Sequence, residues 1–153
     1  MDIRPAARAN ADLVARLIAE FRDWWSKSEP PERAIRAGVE RIMDTGDGEY
    51  LLAAVDGEPA GVSQLRFRWS LWTSAEDCWL EDLYVRESAR RAGVGRALVE
   101  ASLERARARG CKRVELDVNE GNHAALALYE ACGFSVEPKP PGRTLFVSRR
   151  LDE

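Results

Sequence analysis

The sequence predicts a mixed α/β fold, an α+β arrangement of helices on one sheet with antiparallel and parallel neighbours. Three observations predict it. Asp56-Gly57 lies between two strand-like runs and reads as a tight hairpin, so the early strands pair antiparallel. Further on, strands at 79–85 and 114–118 flank a helical pattern at 93–109, and such a crossover makes its strands parallel near the middle of the sheet. The chain has 153 residues, 45% hydrophobic and 32% charged, which fits one domain over 1–153 with a real core.

The elements follow in order. Ile3 sits in a short extended start. Asn10 is the expected cap of a helix through about Trp25, with Leu13, Leu17, Ile18 and Phe21 at helical spacing. Pro30-Pro31 opens a second helix with Ile35, Val39 and Ile42 inward. A turn at 44–48 leads to strands at 50–55 and 60–69, joined at Asp56-Gly57, then a polar loop and the strand at 79–85. Gly110 stops the helix at 93–109. After the strand at 114–118, Asn122 caps a short helix carrying Ala125, Leu128, Tyr129 and Cys132, and Gly133 ends it. A loop with Pro138, Pro140, Pro141 and Gly142 leads to a last strand at 144–149.

Composition excludes disorder, collagen and small disulfide scaffolds. Net charge is −3, so nucleic acid is not an expected partner. No apolar run reaches the ~18 residues of a membrane span, and no basic stretch precedes an apolar block at the N-terminus. No membrane association is expected. The cysteines, Cys78, Cys111 and Cys132, are odd in number and widely spaced, and His123 is the single histidine. A zinc site is not expected, and a reducing cytoplasm is the default location.

The segment 90–96, Arg-Arg-Ala-Gly-Val-Gly-Arg, joins a strand to a helix. Its glycines allow close backbone approach, and the helix aims free N–H groups and its positive dipole end at the loop. Arg86, Arg90, Arg91 and Arg96 crowd the same stretch, as an anion or pyrophosphate site requires. An R-x-x-G-x-G string arises by chance about 0.1 times in such a chain, and its strand–loop–helix setting adds weight. The spacing matches neither the Walker nor the dinucleotide fingerprint.

Three segments together carry a family resemblance: Trp79-Leu80-Glu81-Asp82-Leu83-Tyr84-Val85, Arg90-x-x-Gly93-x-Gly95, and Asn122-x6-Tyr129-x3-Gly133-Phe134. Over residues 79–134 the chain resembles the GNAT superfamily of acetyl-CoA-dependent N-acetyltransferases, with diamine and aminoglycoside types the most similar. The resemblance implies a GNAT-like fold: a mostly antiparallel twisted sheet, a central parallel splayed pair and about four helices. It implies acetyl-CoA as cosubstrate, a small-molecule amine acceptor and a homodimer. Residue by residue, it places the backbone of Leu83, Tyr84 and Val85 on the pantetheine arm. The loop at Arg90, Arg91, Gly93, Val94, Gly95 and Arg96 falls on the pyrophosphate, and Asn122 near the thiol. Tyr129 becomes the general acid and Glu81 the general base.

Chemistry supports such roles. An alkylammonium of pKa ~10.4 must lose a proton before attack, and a carboxylate can accept it. Glu81 and Asp82 are adjacent on a strand, so only one faces the site unless a bulge intervenes; Glu81 is the expected one. A tyrosine of pKa ~10 stays protonated and can serve the leaving thiolate. Tyr129 follows Asn122 by two helical turns, so both can face one ligand, although Tyr129 also suits a core position. Trp24, Trp25 and Trp72, with Glu76 and Asp82, are candidates for an acceptor pocket that prefers cationic amines. A packed core beside a solvated acidic loop is the alternative. A protein or peptide N-acetyltransferase and a noncatalytic acyl-CoA-binding sensor are the competing functions.

Overall fold

The computed structural model describes residues 1–135, 141–142 and 145–152. Its elements are β1 (Asp2–Pro5), α1 (Ala11–Trp24), α2 (Glu32–Thr45), β2 (Gly48–Val55), β3 (Glu58–Ser70), β4 (Ala75–Val85), α3 (Val94–Ala108), β5 (Arg113–Glu115) and α4 (His123–Ala131). The sheet order is β1-β2-β3-β4-β5. The first three pairings are antiparallel, and β4 and β5 are parallel. The α/β class is as the sequence predicts. The parallel pair lies at one edge of the described sheet.

The hairpin between β2 and β3 forms as expected. Asp56 and Gly57 both adopt positive φ, 52° and 80°, the backbone hand that a two-residue turn needs to match strand twist. Strand alternation then sorts the side chains. Leu51, Leu65, Phe67, Cys78 and Leu80 pack under α3 with Leu98 and Val99. Tyr50, Leu52, Val62 and Tyr84 pack under α1 and α2 with Val14, Leu17 and Val39. Trimming the fully buried Leu17 to Ala would cost about 2–5 kcal/mol.

Four expectations need correction. Asn10 takes the N-cap position of α1 but its side chain makes no capping bond to the helix; a 3-10 turn at Arg8–Asn10 precedes the helix, and the Asn10 Oδ1 accepts instead from the Ala7 amide at 2.8 Å. β4 begins at Ala75 rather than 79, because β3 stays paired with it to Ser70↔Ala75. β5 stops at Glu115, since residues 116–118 turn away from β4. Of the last strand, residues 145–149 form no regular structure, leaving Leu145, Phe146 and Val147 exposed. Thr144, Pro138 and Pro140 lie outside the described residues.

Candidate active site

A cleft opens where β4 and β5 part. Their ladder runs only from Asp77↔Arg113 to Trp79↔Glu115. From residue 80 onward, the β5-facing edge of β4 has no strand partner among the described residues. The resulting cavity of about 1080 Å³ is walled by residues 80–85 of β4 and by Asp117, Val118 and Asn119 beyond β5. The N-terminus of α3, the face of α4 bearing Asn122, Leu128 and Tyr129, and the end of α1 with Phe21, Trp24 and Trp25 complete it.

One half of the cleft is built to meet an anion. Gly93 (φ 80°) and Arg91 (φ 67°) both take the left-handed conformation, which curls the loop onto the start of α3. A non-glycine residue pays roughly 1–2 kcal/mol for it, and such strain collects at functional sites. Among the described residues, the amides of Arg91, Ala92, Gly93, Val94, Gly95 and Arg96 find no backbone acceptor; the first bond of the helix is Ala97 N–H to the Gly93 carbonyl at 3.0 Å. Six free amides at a helix N-terminus form an anion cradle. A Cβ at Gly95 would sit 3.3 Å from Leu128 Cδ2, so glycine here relieves a tight contact between α3 and α4.

The arginines divide. Arg86 leaves the loop: it donates to both Glu20 oxygens, at 2.7 and 2.9 Å, and to the Pro59 carbonyl, tying α1 to β4. Arg96 pairs with Glu100 one turn along α3 at 2.8 Å. Arg91 is exposed beside the cradle. Arg90 donates through Nε to the Val85 carbonyl at 3.1 Å, and its guanidinium lies 5.6 Å from the Trp24 ring.

The other half holds the titratable groups. Gln64 pairs with Asp82 but Leu65 with Leu80, so Glu81 is the extra residue of a β-bulge. The bulge resets the alternation, and Glu81 and Asp82 both line the cleft. Their environments differ. Glu81 is exposed and accepts from Gln64 Nε2 at 3.2 Å and Arg66 Nη1 at 3.4 Å. The Asp82 carboxylate accepts no hydrogen bond among the described residues, and burial, with the charges of Glu81 and Asp117, pushes its pKa up to about 6. Tyr129 is buried, its ring edge-on to Phe134 at 5.7 Å. Burial first, then Asp117 and Cys132, raises its pKa, so it is protonated at neutral pH. Asn122 caps α4, its Oδ1 accepting from Ala125 N–H at 3.2 Å, and lines the same cleft.

The structure thus brings Trp24, Trp25, Glu81, Asp82, Leu83, Tyr84, Val85, Asn122, Tyr129 and the glycine loop to one cleft, with the backbone of Leu83 and Val85, not of Tyr84, on the open edge of β4. It does not bring Trp72 or Glu76. Trp72 is 94% exposed at the tip of the β3–β4 hairpin. Glu76 is bound to Arg109 at 3.0 Å. Six residues of extended strand separate Glu76 from Asp82, roughly 20 Å at the usual rise. Sequence reading missed Asp117 and Phe21. Asp117 stood inside a run taken as continuous strand; the available signal was a carboxylate at the C-terminal end of a parallel strand, where ligand sites of open sheets gather. Among the described residues, no cluster of three or more His, Cys, Asp or Glu could hold a metal, and no helix is long and apolar enough to cross a membrane.

This combination of fold, amide cradle and splayed strands is that of an acyl-transfer enzyme. Residues 14–134 match the Acetyltransferase (GNAT) family, and the chain belongs to it as an N-acetyltransferase. It is 31% identical over 117 residues to the thialysine N-epsilon-acetyltransferase of Caenorhabditis elegans, covering 76% of this chain and 70% of that one. To the aminoglycoside N(6')-acetyltransferase type 1 of Stenotrophomonas maltophilia it is 30% identical over 135 residues, 86% and 84% of the two chains. The crystal structure of ribosomal-protein-alanine N-acetyltransferase from Brucella melitensis biovar Abortus 2308 shares the fold, with a TM-score of 0.77 at 20% identity over 98% of this chain and all of that one.

Proposed function

We propose that the protein transfers an acetyl group from acetyl-CoA directly to the primary amine of a small cationic acceptor: a polyamine, diamine or amino-sugar. One observation carries the reading. A single cleft is lined at one end by five residues with unbonded amides, Arg91, Gly93, Val94, Gly95 and Arg96, and at the other by an unbonded carboxylate and a buried phenol. The residues fit the donor. The amides at 91–96 would hold its pyrophosphate, the open β4 edge at Leu83 and Val85 its pantetheine amides, and Asn122 the end of that arm; the backbone groups of Tyr84 point to β3 instead. Bound acetyl-CoA supplies the acetyl group as an activated thioester.

The chain's own residues do the rest. At pH 7 an amine of pKa ~10.4 is neutral in about one molecule in a few thousand, a cost of roughly 4–5 kcal/mol. A carboxylate in the cleft lowers that cost by accepting the proton. Asp82 suits the task better than Glu81, because its pKa of about 6 is close to working pH and Arg66 does not compete for it. Glu81 becomes a neighbouring charge that favours a cationic acceptor. Tyr129, kept protonated, donates its hydroxyl proton to the departing thiolate. Trp24 and Trp25, ring centroids 4.7 Å apart, offer half-exposed aromatic faces for a second ammonium. The relatives named above bear the names of amine acetyltransferases, which accords with such an acceptor.

The test is thiol release from acetyl-CoA across polyamines, aminoglycosides, amino acids and peptides. Turnover greatest with small di- or polycationic amines is expected. A best acceptor that is neutral or anionic would remove the cationic assignment, and a peptide as best acceptor would replace it with protein acetylation. Failure with every amine would leave the sensor reading.

A further inference from the structure

Arg90 spans the two halves of the cleft. Its Nε–H is bonded to the Val85 carbonyl at 3.1 Å, on the β4 edge that has lost its strand partner. The same guanidinium lies 5.6 Å from the centroid of Trp24, which is half exposed in the acceptor wall. A cation therefore already occupies a face of Trp24, the kind of surface that would attract an acceptor's ammonium. The carbonyl that holds this cation is also one that the donor's arm would engage. α1 is anchored to the same strand end independently of Arg90: Glu20 is held by Arg86, and Phe21 stacks on Tyr84 at 5.5 Å. Arg90 can thus let go without freeing the helix.

Resting on the proposed donor, we infer that Arg90 is a positioning residue that couples donor binding to the acceptor subsite: when the donor takes the Val85 carbonyl, Arg90 withdraws from Trp24 and uncovers its ring. The released guanidinium lies next to the amide cradle at 91–96, where the donor's phosphates offer it a counter-charge. By linkage, an acceptor cation seated on Trp24 favours donor binding to the same degree, so the two substrates bind with positive coupling.

Coenzyme A alone, titrated into the whole protein, tests this with two readouts. Calorimetry reports binding, and the emission difference between wild type and Trp24→Phe isolates the signal of Trp24. The expected result is a Trp24-dependent change whose midpoint matches the calorimetric Kd. At saturating coenzyme A in Arg90→Met, that change should be lost while binding heat persists; Arg90→Lys, which keeps a cation, should restore part of it. Two outcomes overturn the inference while leaving the donor reading intact: calorimetric binding with no Trp24-dependent change, or the same change persisting in Arg90→Met. Absence of any binding heat overturns the donor reading and the coupling with it.

Discussion

The two ends of β4 carry the same kind of residue and treat it in opposite ways. At the hairpin end, Glu76 is held by Arg109 at 3.0 Å and Asp77 by Arg113. Arg109 also stacks over Phe67 at 3.8 Å and reaches Glu49, so the charges there form a closed network. At the splayed end, the Asp82 carboxylate has no hydrogen-bond partner among the described residues, and Glu81 has the Gln64 amide at 3.2 Å and a long contact to Arg66. The difference follows from β5. Where β5 pairs, it brings Arg113 alongside; where it diverges, it brings Asp117 and a cleft. A carboxylate's meaning is set by whether the neighbouring strand stays, not by its place in an acidic run.

The comparison can be broken most sharply at the splayed end. Asp82→Asn and Tyr129→Phe should each lower kcat by about 10²–10⁴-fold, the usual worth of a general base or acid, with coenzyme A binding retained. Wild-type turnover should fall as pH drops below about 6, where Asp82 takes a proton, and Asp82→Asn should lack that limb. Steady-state thiol release across pH checks both points; a larger loss in Glu81→Gln than in Asp82→Asn would move the proton acceptor to the exposed carboxylate.

Next in size is the cradle. Gly95→Val places its side chain against Leu128 and Val85, and should weaken coenzyme A about tenfold or more, ~1.4 kcal/mol, in calorimetry. Unchanged affinity in a folded variant would dissociate the loop from the donor.

Stability gives a third contrast, with opposite sign. The folded pKa of Asp82, about 6, lies above the ordinary value of 3.8. Its folded form therefore binds the proton more tightly than the unfolded chain. The anion is penalised above pH 6, and the penalty fades between pH 6 and 4. Asp82→Asn should thus stabilise the protein at pH 7.5, by about 1–3 kcal/mol in denaturant unfolding, and much less at pH 4. The smallest effects belong to the hairpin end. Glu76→Gln should cost about 0.2–1 kcal/mol of stability, and both it and Trp72→Ala should leave kcat/KM within about twofold. A tenfold loss of activity in either would place the acceptor at the hairpin.

Much of the fold was legible because local rules agreed with the tertiary outcome. Asp56-Gly57 forms its hairpin, Pro31 precedes α2, Gly110 follows α3, and Asn122 caps α4. Asn10 failed as a cap because its side chain had a nearer amide, that of Ala7. The segment at 145–149 reads as a strand by composition, yet a strand exists only where another offers it hydrogen bonds. Within the site, the glycine loop and Tyr129 stood out by spacing. The roles of Glu81 and Asp82 did not, since one bulged residue decides which face each takes.

The amino-acid sequence by itself determined the elements, the helix-capped glycine loop and the family, because these depend on periodicity, backbone freedom and residues close along the chain. Only the tertiary structure decided which carboxylates face the cleft and which are claimed by arginines. That choice rests on the bulge at Glu81, on the length of the β4–β5 ladder and on distant arginines that claim Glu76 and Asp77, and desolvation and charge pairing are properties of neighbours in space.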